Sequence, residues 1–262
     1  TLSGETEYLD AVAYGGNGND MLTSYGRATL FGDGGDDSIW NGGSGTIFGG
    51  LGNDRLYADN FYSSATLYGD DGADIIDGAN IGYGGAGNDT LIGGDFYYHV
   101  YDSGRLHGDA GDDLVLGGGA HQAYGGAGND TLSGSWIWGG SGTDRFVFRG
   151  VSDDGYGGTT GGVTRVLDFE ANERILLGGA QILSEHSAYH SDDYTLVPLA
   201  LGDISLTRSG NDLVLSTPPR AADAYGRTDY SSMTIESFFT KGLTSVTIDG
   251  VSASAPSGSS SL

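Results

Sequence analysis

The chain has 262 residues, of which 50 are glycine and only 4 are proline, and its formal net charge is −24 at pH 7. It contains no cysteine, which excludes disulfides, thiolate zinc sites and cysteine nucleophiles. The strong negative charge argues against nucleic acids and anionic membranes as partners, and the absence of an apolar run of 18 residues argues against membrane insertion.

The glycines of the first 148 residues belong to a repeat. The template G-[GD]-x-G-x-D-x-U-x, in which U is a large apolar residue, matches eight times at intervals of 14 to 24 residues. Two nine-residue halves make a period of about 18 residues, which predicts a coil with two short strands and two turns per winding. The first glycines of the eight matches are Gly15, Gly32, Gly49, Gly69, Gly84, Gly108, Gly125 and Gly139.

Each part of the template has a physical role. Glycine permits turns with positive φ and lets backbone carbonyls converge. Those carbonyls and an aspartate carboxylate are hard oxygen donors, which are the ligands that Ca²⁺ prefers.

The U residue of each repeat is predicted to point inward because side chains alternate along a strand. The opposite strand adds apolar residues, but Gly82 and Ala123 are expected to leave the core thin. The predicted inward row is Leu22, Ile39, Leu56, Ile76, Leu91, Val115, Leu132 and Phe146.

Stretches such as "GGLGNDRLY" (49–57) and "GGAGNDTLI" (84–92) resemble the RTX, or haemolysin-type, calcium-binding nonapeptide repeats. The resemblance implies an all-β fold, a parallel β-roll over residues 1–149, with Ca²⁺ between same-side loops of successive windings. It also implies secretion of the unfolded chain by a type I ABC-transporter machinery. The implied ligands are backbone carbonyls of the eight first glycines and the carboxylates of Asp20, Asp37, Asp54, Asp74, Asp89, Asp113, Asp130 and Asp144.

Eight same-side loops leave seven gaps. About seven Ca²⁺ ions would therefore add about +14 and reduce the net charge to about −10. Two departures from the repeat bear on these sites. In three repeats an aspartate replaces the second glycine, namely Asp33, Asp70 and Asp109. In addition, the interval between the first glycines Gly84 and Gly108 is 24 residues, the longest of the seven intervals. The sites between Gly84 and Gly125 are thus the least regular.

Beyond residue 149 the glycine pattern stops, and alternating apolar residues predict a β-rich capping region over residues 150–250. "VLDFEANERILL" (166–177) predicts two strands joined at "EANE", and "ISLTRSGNDLVLS" (204–216) predicts a hairpin. We expect an antiparallel cap on the bare edge of the roll. Residues 251–262 predict a flexible tail that resembles a type I secretion signal.

An aromatic residue or histidine precedes each first glycine. The row could stabilise the windings by ring stacking, or it could be an exposed platform for sugar rings. Its members are Tyr14, Phe31, Phe48, Tyr68, Tyr83, His107, Tyr124 and Trp138.

Two insertions between windings are rich in aromatic residues. They could bind carbohydrate, or they could cover the thin part of the core. The candidate ligand-binding residues are Phe61, Tyr62, Phe96, Tyr97, Tyr98, His99 and Tyr101.

No motif of a serine hydrolase, a zinc protease or a P-loop enzyme occurs, so we predict no catalytic activity here and place any catalytic domain upstream in a longer protein. His186 and His190 lack a third metal ligand at a known spacing. The predicted function is multi-site Ca²⁺ binding coupled to folding after export. The alternatives are a polysaccharide-binding module of an extracellular carbohydrate-active enzyme, or a structural domain of an adhesin or surface layer.

Overall fold

A computed structural model of the protein describes residues 10–58, 65–93, 104–117, 122–148, 152–153, 159–160, 163–177, 201–217 and 231–256. The chain divides into two compact units. We call residues 1–134 with 140–142 the repeat unit, and residues 135–139 with 143–262 the cap unit. Within the described ranges, no helix has the length and apolar character needed to cross a bilayer.

The repeat unit is a parallel β-roll, and the all-β fold predicted from the repeats is confirmed. Its described strands are β1 (Ala11–Asn17), β2 (Met21–Ser24), β3 (Ala28–Gly34), β4 (Ser38–Asn41), β5 (Gly45–Leu51), β6 (Arg55–Ala58), β7 (Ala65–Asp71), β8 (Ile75–Ala79), β9 (Ile81–Ala86), β10 (Thr90–Gly93), β11 (Arg105–Ala110), β12 (Leu114–Leu116), β13 (Gln122–Ala127) and β14 (Thr131–Ser133).

Two parallel sheets make up this unit. Odd-numbered strands β1 to β13 pair in sequence order in one sheet, and even-numbered strands β2 to β14 do so in the other. Each winding is in register with the next, so that Leu22 pairs with Ile39 and Leu30 with Ile47. Equivalent side chains therefore lie one above another along the roll.

The core lies between the two sheets. All eight residues of the predicted inward row are buried. Leu22, in the first described winding, is the most exposed of them at 8%. The predicted thin point at Gly82 is filled by its neighbours, because a Cβ added there would lie 3.1 Å from Leu106 and 3.3 Å from Ala79. The core therefore closes around this glycine without a larger side chain.

The cap unit is also made of β-strands. These are β15 (Trp136–Ser141, of which 136–139 belong to this unit), β16 (Arg145–Phe148), β17 (Ser152–Asp153), β18 (Thr159–Thr160), β19 (Val163–Val166), β20 (Arg174–Leu177), β21 (Ser205–Ser209), β22 (Asp212–Ser216), β23 (Ser232–Ile235), β24 (Ser245–Ile248) and β25 (Val251–Ser254), with a 3₁₀ turn at Leu201–Asp203.

The first strands of the cap unit continue the roll pattern. β19 pairs in parallel with β15, and β20 pairs in parallel with β16. The expectation of an antiparallel cap is wrong for these two strands, because they lie in different sheets and the segment between them acts as the loop of a further winding. Antiparallel pairing starts later, at β21, β22 and β23 and at β24 with β25.

Two further expectations concern the end of the chain. The predicted hairpin at 204–216 is present as β21 and β22, and Gly210 in its turn has φ +63°. Residues 251–254, which the sequence predicts as part of a flexible tail, instead form β25. Thr247 and Ser252 face each other across that pair of strands.

Candidate metal centre

The aspartate of each repeat lies in the loop that connects the two sheets of the roll. In six successive gaps, the backbone N–H of one aspartate donates a hydrogen bond to Oδ1 of the aspartate in the next winding, at 2.7–2.8 Å. The loops are thus tied together through the predicted ligands. The aspartates in these gaps are Asp20, Asp37, Asp54, Asp74, Asp89, Asp113 and Asp130.

The other carboxylate oxygen in this row has a different environment. In six aspartates Oδ2 is buried and accepts no hydrogen bond. A buried carboxylate oxygen without a donor is costly, so such a row indicates that a cation belongs there. The six are Asp20, Asp37, Asp54, Asp74, Asp89 and Asp113.

Each of these oxygens faces a small space beside the first glycine of its own repeat. A Cβ built on Gly15 would lie 3.1 Å from Oδ2 of Asp20 and 2.7 Å from the carbonyl oxygen of Gly32. The space is therefore lined by a carboxylate and by a carbonyl of the next winding, which are the donors that Ca²⁺ takes. A Cβ built on any of five further first glycines would also meet the carbonyl oxygen of the first glycine in the next winding; the five are Gly32, Gly49, Gly69, Gly84 and Gly108.

The last repeat has the same local arrangement. Oδ2 of Asp144 lies against Gly139, as Oδ2 of Asp20 lies against Gly15. Asp130 and Asp144 are both fully buried. All eight predicted aspartates thus occupy equivalent positions in their own loops.

The aspartates that replace the second glycine keep the loop conformation. Asp33, Asp70 and Asp109 have φ of 72–73°, while Gly16 and Gly85 at the equivalent position have φ of 95° and 108°. Aspartate is one of the few residues with a side chain that enters this left-handed region readily. This departure from the template therefore does not change the path of the backbone.

The irregular interval also leaves the loops unchanged. The hydrogen bond from Asp89 N–H to Asp113 Oδ1 spans 24 residues and measures 2.8 Å, as does the bond from Asp113 to Asp130 across 17 residues. The extra residues of this winding lie between β10 and β11 in sequence, whereas the aspartate loop follows β11. The region predicted to be least regular has the same geometry as its neighbours.

Burial makes these carboxylates hard to ionise in the absence of a cation. Desolvation raises the pKa of Asp74 and of Asp113 to about 6 and that of Asp89 to about 7. The backbone N–H groups that donate to them oppose the rise in pKa, and neighbouring aspartates add to it. The pKa values of Asp37 and Asp54 are raised for the same reasons. A divalent cation between the loops would remove this penalty.

The sequence analysis missed a second ladder, formed by the fifth residue of each repeat. The side-chain oxygen of Asn19 accepts the backbone N–H of Asp36 at 3.0 Å, and Oδ1 of Asp36 accepts that of Asn53 at 2.9 Å. Asn53 continues the ladder to Ala73, which has no acceptor for the next winding. The signal was the recurrence of Asn or Asp before six of the eight ligand aspartates.

The aromatic row forms a continuous stack. From Tyr14 to Tyr124, seven rings follow one another with centroids 4.4–4.9 Å apart and planes within 13° of parallel. Each interior ring therefore has both faces against a neighbouring ring. Sugar rings bind on the faces of aromatic rings, so this geometry favours stabilisation of the windings over a sugar platform.

Several predicted functional residues lie outside the described residues. They are Phe61, Tyr62, Phe96, Tyr97, Tyr98, His99, Tyr101, His186 and His190.

Comparison with known proteins shows that part of the chain is similar to a family of calcium-binding repeats. A family model of the RTX calcium-binding nonapeptide repeat, in four copies, matches residues 41–60, 66–80, 77–95, 103–121 and 124–153. The first two repeats, which begin at Gly15 and Gly32, precede these matches but have the same loop geometry.

Among solved structures, the chain is similar to the solution structure of the AlgE6R3 subunit from the Azotobacter vinelandii mannuronan C5-epimerase. The identity is 22%, the alignment covers 72% of this chain and 87% of that chain, and the TM-score is 0.29. No curated protein matches the chain.

Proposed function

Because the chain carries RTX calcium-binding nonapeptide repeats in a β-roll, we propose that it is a calcium-dependent folding module of a secreted protein. About seven Ca²⁺ ions would lie between successive loops, with one aspartate of each repeat and the carbonyl of a first glycine as ligands. The matched repeats are a calcium-binding structural module, and catalysis would belong to another domain of a longer protein.

The row of buried, unpartnered Oδ2 atoms is the observation that carries this proposal. Each oxygen faces a backbone carbonyl of the next winding. A cation there would bridge two windings and offset the repulsion between neighbouring carboxylates. At free Ca²⁺ tenfold above the Kd, each site adds about 1.4 kcal/mol, so seven sites add about 10 kcal/mol, as much as the stability of a whole domain.

The same energetics couple folding to the location of the chain. In a calcium-poor cytoplasm the carboxylates would repel one another and leave the roll unfolded, which is the state that a type I ABC transporter exports. Calcium outside the cell would then fold the chain. Secretion and an extracellular location are therefore part of the proposal.

A calcium titration of the full chain tests the function. We expect equilibrium dialysis to give about seven bound ions, and far-UV circular dichroism to show strand structure that increases with calcium and decreases in chelator. Magnesium is the matched control, because it demands a smaller, more regular octahedral site and should not replace calcium at equal concentration. A spectrum that is the same in calcium and in chelator would contradict the proposal.

Binding of an extracellular polysaccharide would rest on the two insertions, because the stacked row offers ring edges rather than ring faces. A glycan array with the calcium-loaded chain tests this second function, with Tyr97→Ala and Tyr98→Ala as variants. A structural role in an adhesin or surface layer would instead produce calcium-dependent assembly of copies, which sedimentation velocity detects.

A further inference from the structure

The cap unit begins with a winding that has the dimensions of a repeat. Ile137 pairs with Val166 and Arg145 pairs with Arg174, so seven residues separate the paired positions in both windings. The sequence of this loop, 167–173, has no repeat glycines. This loop has the same length and register as the loops that carry the repeat aspartates, although its residues differ from the template.

Side chains of this loop bond to the preceding winding as the calcium loops do. Oδ1 of Asp168 accepts the backbone N–H of Gly139 at 2.9 Å, and Nδ2 of Asn172 donates to Oγ1 of Thr143 at 2.9 Å. Glu173 is 2% exposed and takes the place of the ligand aspartate in this register. Two side chains of the loop therefore hold it to the preceding winding.

The winding that follows loop 167–173 contains Lys241, which contacts that loop. β23 pairs in parallel with β19 and β24 with β20, so residues 236–244 form the loop that follows loop 167–173. Nζ of Lys241 in that loop donates to the carbonyl oxygens of Asp168 and Phe169 at 2.9 and 3.0 Å, and to Oε1 of Glu170 at 2.9 Å. All three protons of the ammonium group are used.

The ammonium group of Lys241 contacts the same types of oxygen atom that would bind a calcium ion. Two backbone carbonyls and one carboxylate, all from one loop, surround a positive charge that comes from the side of the following loop. The proposed calcium ions have carbonyl and carboxylate donors and lie between successive loops in the same way. Lys241 is also the only lysine in the chain.

We propose that the ammonium group of Lys241 takes the place of a calcium ion between loops 167–173 and 236–244, and so ends the row of metal sites. This inference rests on the proposed function of the repeats. A covalently attached cation does not dissociate when calcium is removed. Loop 167–173 is therefore held independently of calcium, and Lys241 determines where calcium dependence stops along the chain.

Amine acylation of the full chain tests this assignment directly. Lys241 carries the only side-chain amine, so mass spectrometry reports its reaction without interference from other lysines. We expect acylation at least about tenfold slower than for a free lysine, both in calcium and in chelator, because the amine reacts only when the contact opens. Acylation in chelator at the rate of a free amine would overturn the proposal.

Lys241→Met and the control Lys241→Arg give a second measurement by hydrogen exchange. In the wild type, amides of residues 168–173 should exchange equally slowly with and without calcium. In Lys241→Met their protection should fall at least about tenfold in chelator and recover with calcium, whereas Lys241→Arg should behave as the wild type. Equal exchange in Lys241→Met and wild type would overturn the proposal.

The two proposals fail in different measurements. If the wild type binds no calcium in equilibrium dialysis, the proposed function fails. If it binds calcium but Lys241 is freely acylated, only the present inference fails. Should Lys241→Met not fold, acylation of the wild type alone decides the question.

Discussion

The repeat unit and the cap unit share strand geometry but balance their charges differently. Residues 1–142 contain 20 acidic and 3 basic residues, and residues 143–262 contain 15 acidic and 8 basic residues. In the described part of the repeat unit, six buried carboxylate oxygens lie near backbone carbonyls and accept no hydrogen bond. In the cap unit, Lys241 and Arg165 contact Glu170 and Glu236. One β-roll pattern can thus be stabilised by added ions or by its own cations.

The largest expected effect comes from placing a methyl group where the windings are closest. Gly87 has φ +135°, and a Cβ there would overlap the carbonyl oxygen of Gly72. Gly87→Ala should cost about 3 kcal/mol or more of unfolding free energy in calcium, measured by urea denaturation. Gly210→Ala in the cap unit is the matched control, since φ is +63° but nothing lies within 4 Å. It should cost about 1 kcal/mol. Equal costs would contradict the close stacking of the roll.

A smaller effect is expected from removing one charge in the aspartate row. Asp89→Asn should raise the calcium concentration at the folding midpoint about tenfold, because Oδ1 of Asp89 accepts the N–H of Asp74 and its buried Oδ2 is one of the assigned ligand oxygens. The control is Asp112→Asn, whose side-chain oxygen can still accept the N–H of Asn129. Its midpoint should stay within about twofold of the wild type. A calcium titration followed by circular dichroism compares the two, and similar shifts in both variants would argue against the assigned ligands.

The pH dependence should separate the two units. In the calcium-free repeat unit, the folded pKa of Asp89 is about 7 against an ordinary value of 3.8. The folded state therefore binds more protons, so this contribution to stability is fully present below pH 3.8 and is lost as pH rises through about 7. Acidification from pH 8 to 5.5 in chelator should therefore raise the amide protection factors of the repeat unit, after correction for the pH dependence of intrinsic exchange.

In the cap unit, the loss of stability with rising pH is expected at a higher pH than in the repeat unit. Burial, together with the nearby Asp144 and Asp168 carboxylates, raises the pKa of Glu173 from 4.5 to about 8. Its contribution to stability is lost as pH rises through about 8. Exchange profiles of both units measured at several pH values test the order. A shared transition would show that the units do not titrate separately.

The smallest expected effect concerns the aromatic stack. Phe48→Leu removes a ring that contacts Phe31 and Tyr68, at centroid distances of 4.9 Å on both sides. It should lower the unfolding free energy in calcium by about 0.5–1.5 kcal/mol, whereas Tyr14→Leu at the end of the stack should cost less. Thermal unfolding in calcium compares them. The calcium stoichiometry should not change in either variant.

The regular spacing of the repeats was enough to predict most of the structure of the repeat unit. A fixed offset between glycine, aspartate and U residue was enough to place the core row and the aspartate row, because each winding repeats the geometry of the last. It also predicted the row of aromatic rings. The face-to-face orientation of those rings depends on side-chain torsions, which the two-residue period of a strand does not determine.

The first winding of the cap unit could not be predicted in this way. Asp168 and Phe169 stand where a repeat has two glycines, and Glu173 stands where it has aspartate. The interval from Asp144 to Glu173 is 29 residues, beyond the range of the other repeats. Only the pairing of β20 with β16 shows that Glu173 is equivalent to the repeat aspartate Asp144. Lys241 is still more remote in sequence, and its contacts with residues 168–170 leave no local pattern.

The break in the fifth-position ladder at Ala73 has a mechanical consequence. Hydrogen bonds between windings run along the roll axis, so a force that pulls the two ends of the roll apart acts along these bonds and loads every gap between windings equally. The ladder adds one side-chain bond to most of these steps but none from Ala73 to Asn88. A roll under tension would therefore yield first between the windings that carry Ala73 and Asn88.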